Sequence, residues 1–318
     1  LKKRYPYGEI DRFFDLMRSS IDEIGEFADS YSKGSNFTKS GSLIFARNQA
    51  QLSRLTSHVR DRKRLLSKQE ASEMLAVDGI QGALFEPDCA TVSPYQLLHD
   101  LARYLRSRGF QILEGSRAQA SGQLRVNGIP VTAKRTIWAT EAFKEPSRQQ
   151  IPLYSLMVAT APLVPEKRKE LSPIQGLAFA QASHNVNYAQ FTGDGRIALG
   201  GRGARYPFGS KLSSKNELDE RVHRRIASLI GEWFPQLGDP EEIEITHRWG
   251  GPISVRWNWE SYVHFDESTG IGSLGGYVGD GLTMSYLSAK VLADLVLGGN
   301  SYRGLPIVNN RAPQWPIE

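Results

Sequence analysis

The stretch Ile271-Gly-Ser-Leu-Gly-Gly-Tyr-Val-Gly-Asp-Gly-Leu-Thr-Met284, with the run that follows it to Gly298-Gly299, decides the fold. Ile271 to Leu274 is a short apolar strand. Gly275, Gly276, Gly279 and Gly281 then crowd a turn, and Met284, Leu287, Val291 and Leu295 recur at helical spacing until Gly298-Gly299 stops them. The order is strand, glycine-rich turn, helix. Glycines let backbone N–H groups approach a guest with no Cβ in the way. The helix start behind them offers unpaired donors and a partial positive charge, so an anionic or electron-rich group is the natural guest. A turn made only for packing needs one or two glycines, and the four here point to a ligand.

Outward from that turn, α/β grammar alternates with antiparallel stretches. Ile10, Phe13, Phe14, Met17, Ile21, Ile24 and Phe27 form the stripe of a first helix that ends by Gly34. Ser42–Ala46 and Gly82–Phe85 are strands, and Ser67-Lys-Gln-Glu70 has capping-box spacing. Ser93-Pro94 opens a helix with Leu98, Leu101 and Leu105 as its buried face, stopped at Gly109 and followed by a strand at Phe110–Leu113. Asn127-Gly128 turns a hairpin that leads into Thr136-Ile-Trp-Ala-Thr140. Leu156–Thr160, Asn187–Phe191 and Arg196–Gly200 are further strands, the last two joined at Gly193-Asp-Gly195. Ser214-Lys-Asn-Glu217 caps a helix carrying Leu218, Val222, Ile226, Leu229 and Trp233, and a turn is expected at Trp249-Gly-Gly.

The expected fold class is therefore α/β plus α+β: a Rossmann-like domain interwoven with one built on a mixed, largely antiparallel sheet. The first takes 1–33, 94–145 and 252–300, the second 34–93 and 146–251, with 301–318 as a tail.

Composition narrows the function. At 318 residues the chain exceeds a usual single domain, and the net charge of +5 is mild. Lys2-Lys-Arg4 and the run Arg60 to Arg64 are short and lack interleaved aromatics, which argues against a nucleic-acid partner. The lone Cys89 excludes an internal disulfide and suits a reducing, cytoplasmic compartment; it reads as a small buried residue. No apolar run reaches the roughly 18 residues of a membrane span. The six His show no ligand spacing, so no metal is expected, and His184 reads as a solvated loop residue.

Four stretches, in one order, resemble the D-amino-acid-oxidase-like FAD-dependent oxidoreductases, and most of all the bacterial branch that includes gamma-glutamylputrescine oxidase. They are Gly82-Ala-Leu-Phe-Glu-Pro-Asp through Val92-Ser-Pro94, Thr136-Ile-Trp-Ala-Thr-Glu-Ala142, Thr246-His-Arg-Trp-Gly-Gly251 and Gly276-Tyr-Val-Gly-Asp-Gly-Leu282. The resemblance implies FAD as cofactor and oxidation of an amine or amino acid at its C–N bond, by hydride transfer to the flavin, with dioxygen or another acceptor reoxidising it. No catalytic side chain is then required. By position, Gly276, Gly279, Asp280, Gly281, Leu282 and Thr283 would lie at the flavin ring and ribityl chain, and Ala139 and Thr140 at the ribose or pyrophosphate. Tyr154, Arg248, Trp249 and Tyr277 would touch substrate, with His247 nearby and Tyr188 a weaker candidate; Trp249 and Tyr277 are equally readable as core aromatics, and Arg248 as a partner of a surface acid.

The family's opening strand, its Gly-x-Gly-x-x-Gly turn and the acid that follows have no counterpart near Leu1. The end, Gln314-Trp-Pro-Ile-Glu318, looks clipped. On this reading the parent is an FAD oxidoreductase whose pyrophosphate grip is lacking here. The alternatives are a degenerate, non-catalytic binding module and, less well supported, an NAD-linked dehydrogenase.

Overall fold

The computed structural model describes residues 5–59, 62–119, 123–143, 149–203, 206, 208–309 and 314–315. The basic run at 2–4, the first two residues of the run at 60–64 and most of 314–318 lie outside the described residues. In chain order the elements are α1 (Tyr7–Tyr31), β1 (Ser42–Ala46), α2 (Gln49–Thr56), β2 (Arg64–Leu66), α3 (Lys68–Met74), β3 (Gly82–Glu86) and α4 (Pro94–Ser107). There follow β4 (Ala118–Gln119), β5 (Arg125–Val126), β6 (Ile129–Pro130), β7 (Thr136–Trp138), β8 (Gln150–Thr160), α5 (Pro165–Leu171), β9 (Ala178–Gln181), β10 (Asn187–Phe191) and β11 (Ile197–Arg202). The last are α6 (Glu220–Trp233), β12 (Ile245–Arg256), β13 (Tyr262–Asp266), β14 (Ile271–Gly275) and α7 (Gly281–Val296).

An eight-stranded mixed sheet, ordered β12-β8-β11-β10-β9-β1-β3-β2, forms the larger body. Its pairs are antiparallel except β1 with β9. One face is apolar: Tyr154, Leu156, Val158, Ile197, Leu199 and Phe179 join Val222, Ile226 and Trp233 of α6 in the main core. The smaller body is the sheet β13-β14-β7 covered by α7 and α1, where Phe13, Leu274, Leu287 and Val291 pack together.

Local chemistry explains several elements. The capping box at α3 is complete, with Ser67 Oγ accepting from Glu70 N at 3.2 Å and Glu70 Oε2 accepting from Ser67 N at 2.8 Å. Asn127 and Gly128 both take positive φ, 49° and 81°, as a two-residue hairpin turn requires.

Other expectations need correction. Trp249-Gly-Gly is no turn: it lies inside β12, so the boundary placed between 251 and 252 cuts a continuous strand. Gly250 is there for close approach, because a Cβ would sit 2.1 Å from Leu156 Cδ2 and 2.9 Å from the Glu217 carbonyl. Phe110–Leu113 forms no strand; Phe110 is 62% exposed and no described residue offers it a ladder partner. Helix α4 buries Leu97 and Asp100, not Leu98, because the Asp100 carboxylate accepts from Ser32 Oγ at 2.6 Å and turns that side toward α1. Ser214–Glu217 is only a 3-10 turn, and α6 starts later, capped by Asp219 accepting from Val222 N. Phe14 stands exposed on α1.

Candidate active site

The turn between β14 and α7 combines strain with openness. Gly276 and Gly279 take φ of 74° and 106°, and between them Val278 takes 56°, a left-handed conformation that a β-branched residue adopts only at a cost. A Cβ on Gly276 would press within 3.0 Å of Arg256 Cδ, so glycine there serves packing. A Cβ on Gly279 would meet nothing within 4 Å, so that glycine faces open space. Asp280 at the N-cap of α7 makes no side-chain bond to the helix start. The N–H groups of Gly281, Leu282 and Thr283 are therefore left by their own helix for a guest.

Glu141 holds this turn from the side. It follows Ala139 and Thr140 at the end of β7 and has φ of 45°. Its carboxylate accepts from Gly276 N at 2.7 Å and from Tyr277 N at 3.1 Å. Burial pushes the Glu141 carboxyl above its ordinary value, while these two donors pull the other way. Burial prevails in direction, and the short bonds still fix the geometry. Two stretches assigned to the cofactor, about 135 residues apart in sequence, thus meet through a residue that sequence reading passed over.

The other wall is the face of the large sheet opposite the core. Across it Trp249 pairs with Met157, Met157 with Gly200, Gly200 with Tyr188, and Tyr188 with Ala180. The next row is Ala159, Ala198, Gln190 and Ala178. Small residues floor this face and leave room above it. Tyr188 and Ser155 share a 2.7 Å hydroxyl bond, and the Tyr188 ring lies where any Cβ on Gly200 would be, 2.6 Å away. The floor opens into a cleft of about 910 Å³ that includes Met157, Gln190 and Trp249.

Arg202, at the end of β11, joins the two walls. It donates to the Val278 carbonyl at 3.4 Å, and its guanidinium lies 5.2 Å from the Trp259 ring centre. Crowding by protein raises the Asp280 carboxyl although that residue keeps solvent exposure, and Arg202 opposes the shift. The Cys89 thiol is pushed up by burial, with Asp280 nearby adding to it, so it is an inert thiol beside the turn.

Of the substrate candidates, Trp249 reaches the cleft, 40% exposed, its strand anchored by His223 Nε2 at 3.0 Å from the Trp249 carbonyl. Tyr154 does not: it is buried in the core on the opposite face, its hydroxyl donating to Ser213 O and accepting from Ser213 N. Arg248 is exposed on edge strand β12, on the other side from Trp249. Tyr277 packs against the α1/α7 core, where burial and Glu141 raise its hydroxyl. Leu282 sends its side chain into a cluster with Ile24 and Leu97, leaving only its backbone for a guest. His247 bonds Thr246 Oγ1 at 2.8 Å, and His184 is exposed as expected. Arg202 was legible only as Gly200-Gly201-Arg202, two glycines and a cation ending a strand.

The chain thus joins a mixed eight-stranded sheet with one bare face to a smaller body that carries a glycine turn, open at Gly279, and an uncapped helix start. The chain belongs to the FAD dependent oxidoreductase (DAO) family, whose pattern it matches over residues 2–295. It is 28% identical over 218 residues to a probable oxidoreductase OrdL of Rhizobium meliloti, covering 65% of this chain and 47% of that one. It is 25% identical over 280 residues to the gamma-glutamylputrescine oxidoreductase of Escherichia coli, covering 81% and 62%. The glycine oxidase of Bacillus cereus has the same fold, with a TM-score of 0.74 at 18% identity, covering 96% of this chain and 85% of that one. The chain thus spans about half of the first relative and under two thirds of the second. Among the described residues no helix is long and apolar enough to cross a membrane, and no group of His, Cys, Asp and Glu could hold a metal.

Proposed function

We propose that this chain supplies the ring end of an FAD site and the substrate wall of an enzyme that oxidises the C–N bond of an amine or amino acid. The observation that carries it is the glycine turn, fixed by Glu141, open at Gly279, followed by the uncapped start of α7 and tied by Arg202 to the end of β11. Those residues fit FAD: Gly279 has no neighbour to fill its open side, and a helix start favours the electron-rich edge of the ring. The smaller body is then Rossmann-like, with the exposed Ala139 and half-buried Thr140 lying along the cofactor. When bound, FAD accepts the hydride from the carbon that bears the amine.

The chain's own residues orient and enclose. The N–H groups of Gly281 and Thr283 would hold the ring. Arg202 keeps Val278 in its strained conformation and neutralises charge near Asp280. Trp249 and Met157 shield the reacting face from water, and the Ser155–Tyr188 pair offers a hydroxyl beside it. The electron acceptor after the flavin is dioxygen or another oxidant, and the single Cys supports a reducing, cytoplasmic setting. The named relative in Escherichia coli supports an amine as substrate class.

The test is FAD titration followed by anaerobic addition of primary amines and amino acids. Retention of FAD and bleaching of its absorbance are expected. Failure of the folded chain to retain FAD favours the non-catalytic binding module, and retention without bleaching by any of them removes the amine-oxidising reading.

A further inference from the structure

The smaller body carries a second groove, at the opposite end of β14 from the glycine turn. There the residues before β7, the hairpin between β13 and β14 and the end of α7 meet. Two adjoining cavities, of about 750 and 410 Å³, share Phe265, Glu267, Leu295 and Arg303 and form one groove. The first reaches Lys134 and Arg135, the second Val308. β7, β14, β13 and Val308 lie side by side in that order, so the groove crosses three strand spacings, about 14 Å. An extended chain rises about 3.3 Å per residue, so about four residues fill that length.

The floor of this groove is apolar and its rim is basic. Phe265 and Leu295 lean on the α1/α7 core and are only half-buried, and Leu297 is 83% exposed beside them. Lys134, Arg135 and Arg303 are exposed, and among the described residues none of the three has an ion-pair partner. The backbone beneath two of them is fixed. Thr136 N donates to the Gly270 carbonyl at 3.0 Å, and Gly270, at a φ of 68°, packs so closely that a Cβ there would lie 2.6 Å from the Lys134 carbonyl oxygen. The Asp266 carboxylate of that hairpin is taken up by its own turn, accepting from Ser268 N at 2.9 Å and from Ser268 Oγ at 2.6 Å. Among the lining residues Glu267 is then the one acid set against three cations.

We infer that this groove docks an extended acidic segment of a partner protein, with its carboxylates at Lys134, Arg135 and Arg303 and a large apolar side chain over Phe265 and Leu295. The excess of cations selects an acidic partner. The exposed apolar floor selects a chain with an apolar anchor over a bare anion. The glycine turn stays free when the groove is filled, because β14 separates the two.

The probe is a fluorescein-labelled peptide, Asp-Glu-Leu-Phe-Asp-Glu, followed by fluorescence anisotropy with the full, FAD-supplemented chain. Saturable binding is expected, weakening as salt rises. Replacing Leu-Phe by Ser-Ser in the peptide should weaken it at least about ten-fold, and so should the double change Arg135→Glu and Arg303→Glu in the protein. Both positions are exposed, so the doubly changed protein should melt with the parent. It should also bind Lys-Lys-Leu-Phe-Lys-Lys more tightly than the parent does, a gain that no loss of fold could produce. No saturable binding of the acidic peptide, equal binding of the Ser-Ser peptide, or binding that survives the double change overturns the docking surface. A short single-stranded oligonucleotide that binds the parent more tightly than the peptide, through the same two arginines, overturns the protein partner.

Discussion

Removing the Glu141 carboxylate should loosen the turn proposed to hold the cofactor. Glu141→Ala leaves the N–H groups of Gly276 and Tyr277 without their acceptor at a site largely enclosed by protein. Hydrogen bonds to a charged group contribute about 1.5–3 kcal/mol each, and the desolvation of the carboxylate offsets part of two such bonds, so the net loss should be about 2–4 kcal/mol. For a chain of 318 residues that lowers the melting temperature by roughly 3–6 °C. Glu141 also sits at a φ of 45°, which costs a non-glycine residue about 1–2 kcal/mol. Glu141→Gly relieves that strain while losing the same bonds, so it should melt above Glu141→Ala. Thermal melts of the three proteins at neutral pH decide the matter. An alanine variant that melts within a degree of the parent, or a glycine variant less stable than the alanine one, would refute the clamp.

Other outcomes follow from single residues. Gly250→Ala forces a methyl against Leu156 and the Glu217 carbonyl and should cost at least about 2 kcal/mol, read as a lower denaturant midpoint with unchanged slope. Asp280 has its folded-state carboxyl raised, so its contribution is fully present below its ordinary value and is lost as pH rises through the raised one. Asp280→Asn should therefore gain stability relative to the parent at about pH 7 and not at about pH 4; melts at the two pH values check it, and an equal effect at both contradicts it. Arg202→Ala should weaken FAD retention at least about ten-fold, measured by quenching of flavin fluorescence, with a small change in melting temperature because the residue is half-exposed.

Much of the fold was legible because it rests on local rules. The capping box at Ser67, the Asn127-Gly128 hairpin and the apolar face of α7 each follow from chemistry within a few residues, and all three are present. What misled was chemistry set by distant partners. Gly250 reads as a turn residue, yet it is a glycine because Leu156 needs its space. Leu98 has helical periodicity, yet the Ser32 bond to Asp100 selects the adjacent side of α4. Tyr154 and Ser155 are neighbours in one strand, and only the position of the core decides that Ser155 lies on the opposite face. The glycine turn was found from spacing, whereas Glu141 and Arg202 were not, since nothing in their neighbourhoods announces a bond to a segment some 76 or 135 residues away.

The most direct test of the site is flavin affinity with Gly279 filled. Its Cβ direction is empty in the protein, so Gly279→Val adds bulk only to the space assigned to the flavin ring, apart from the cost of a branched residue at a φ of 106°. Titration with FAD and with riboflavin, which carries the ring without the pyrophosphate, should show both binding to the parent and both losing at least about a hundred-fold in a folded Gly279→Val protein. Unchanged affinity of either flavin for the folded variant would contradict the placement of the ring at this turn.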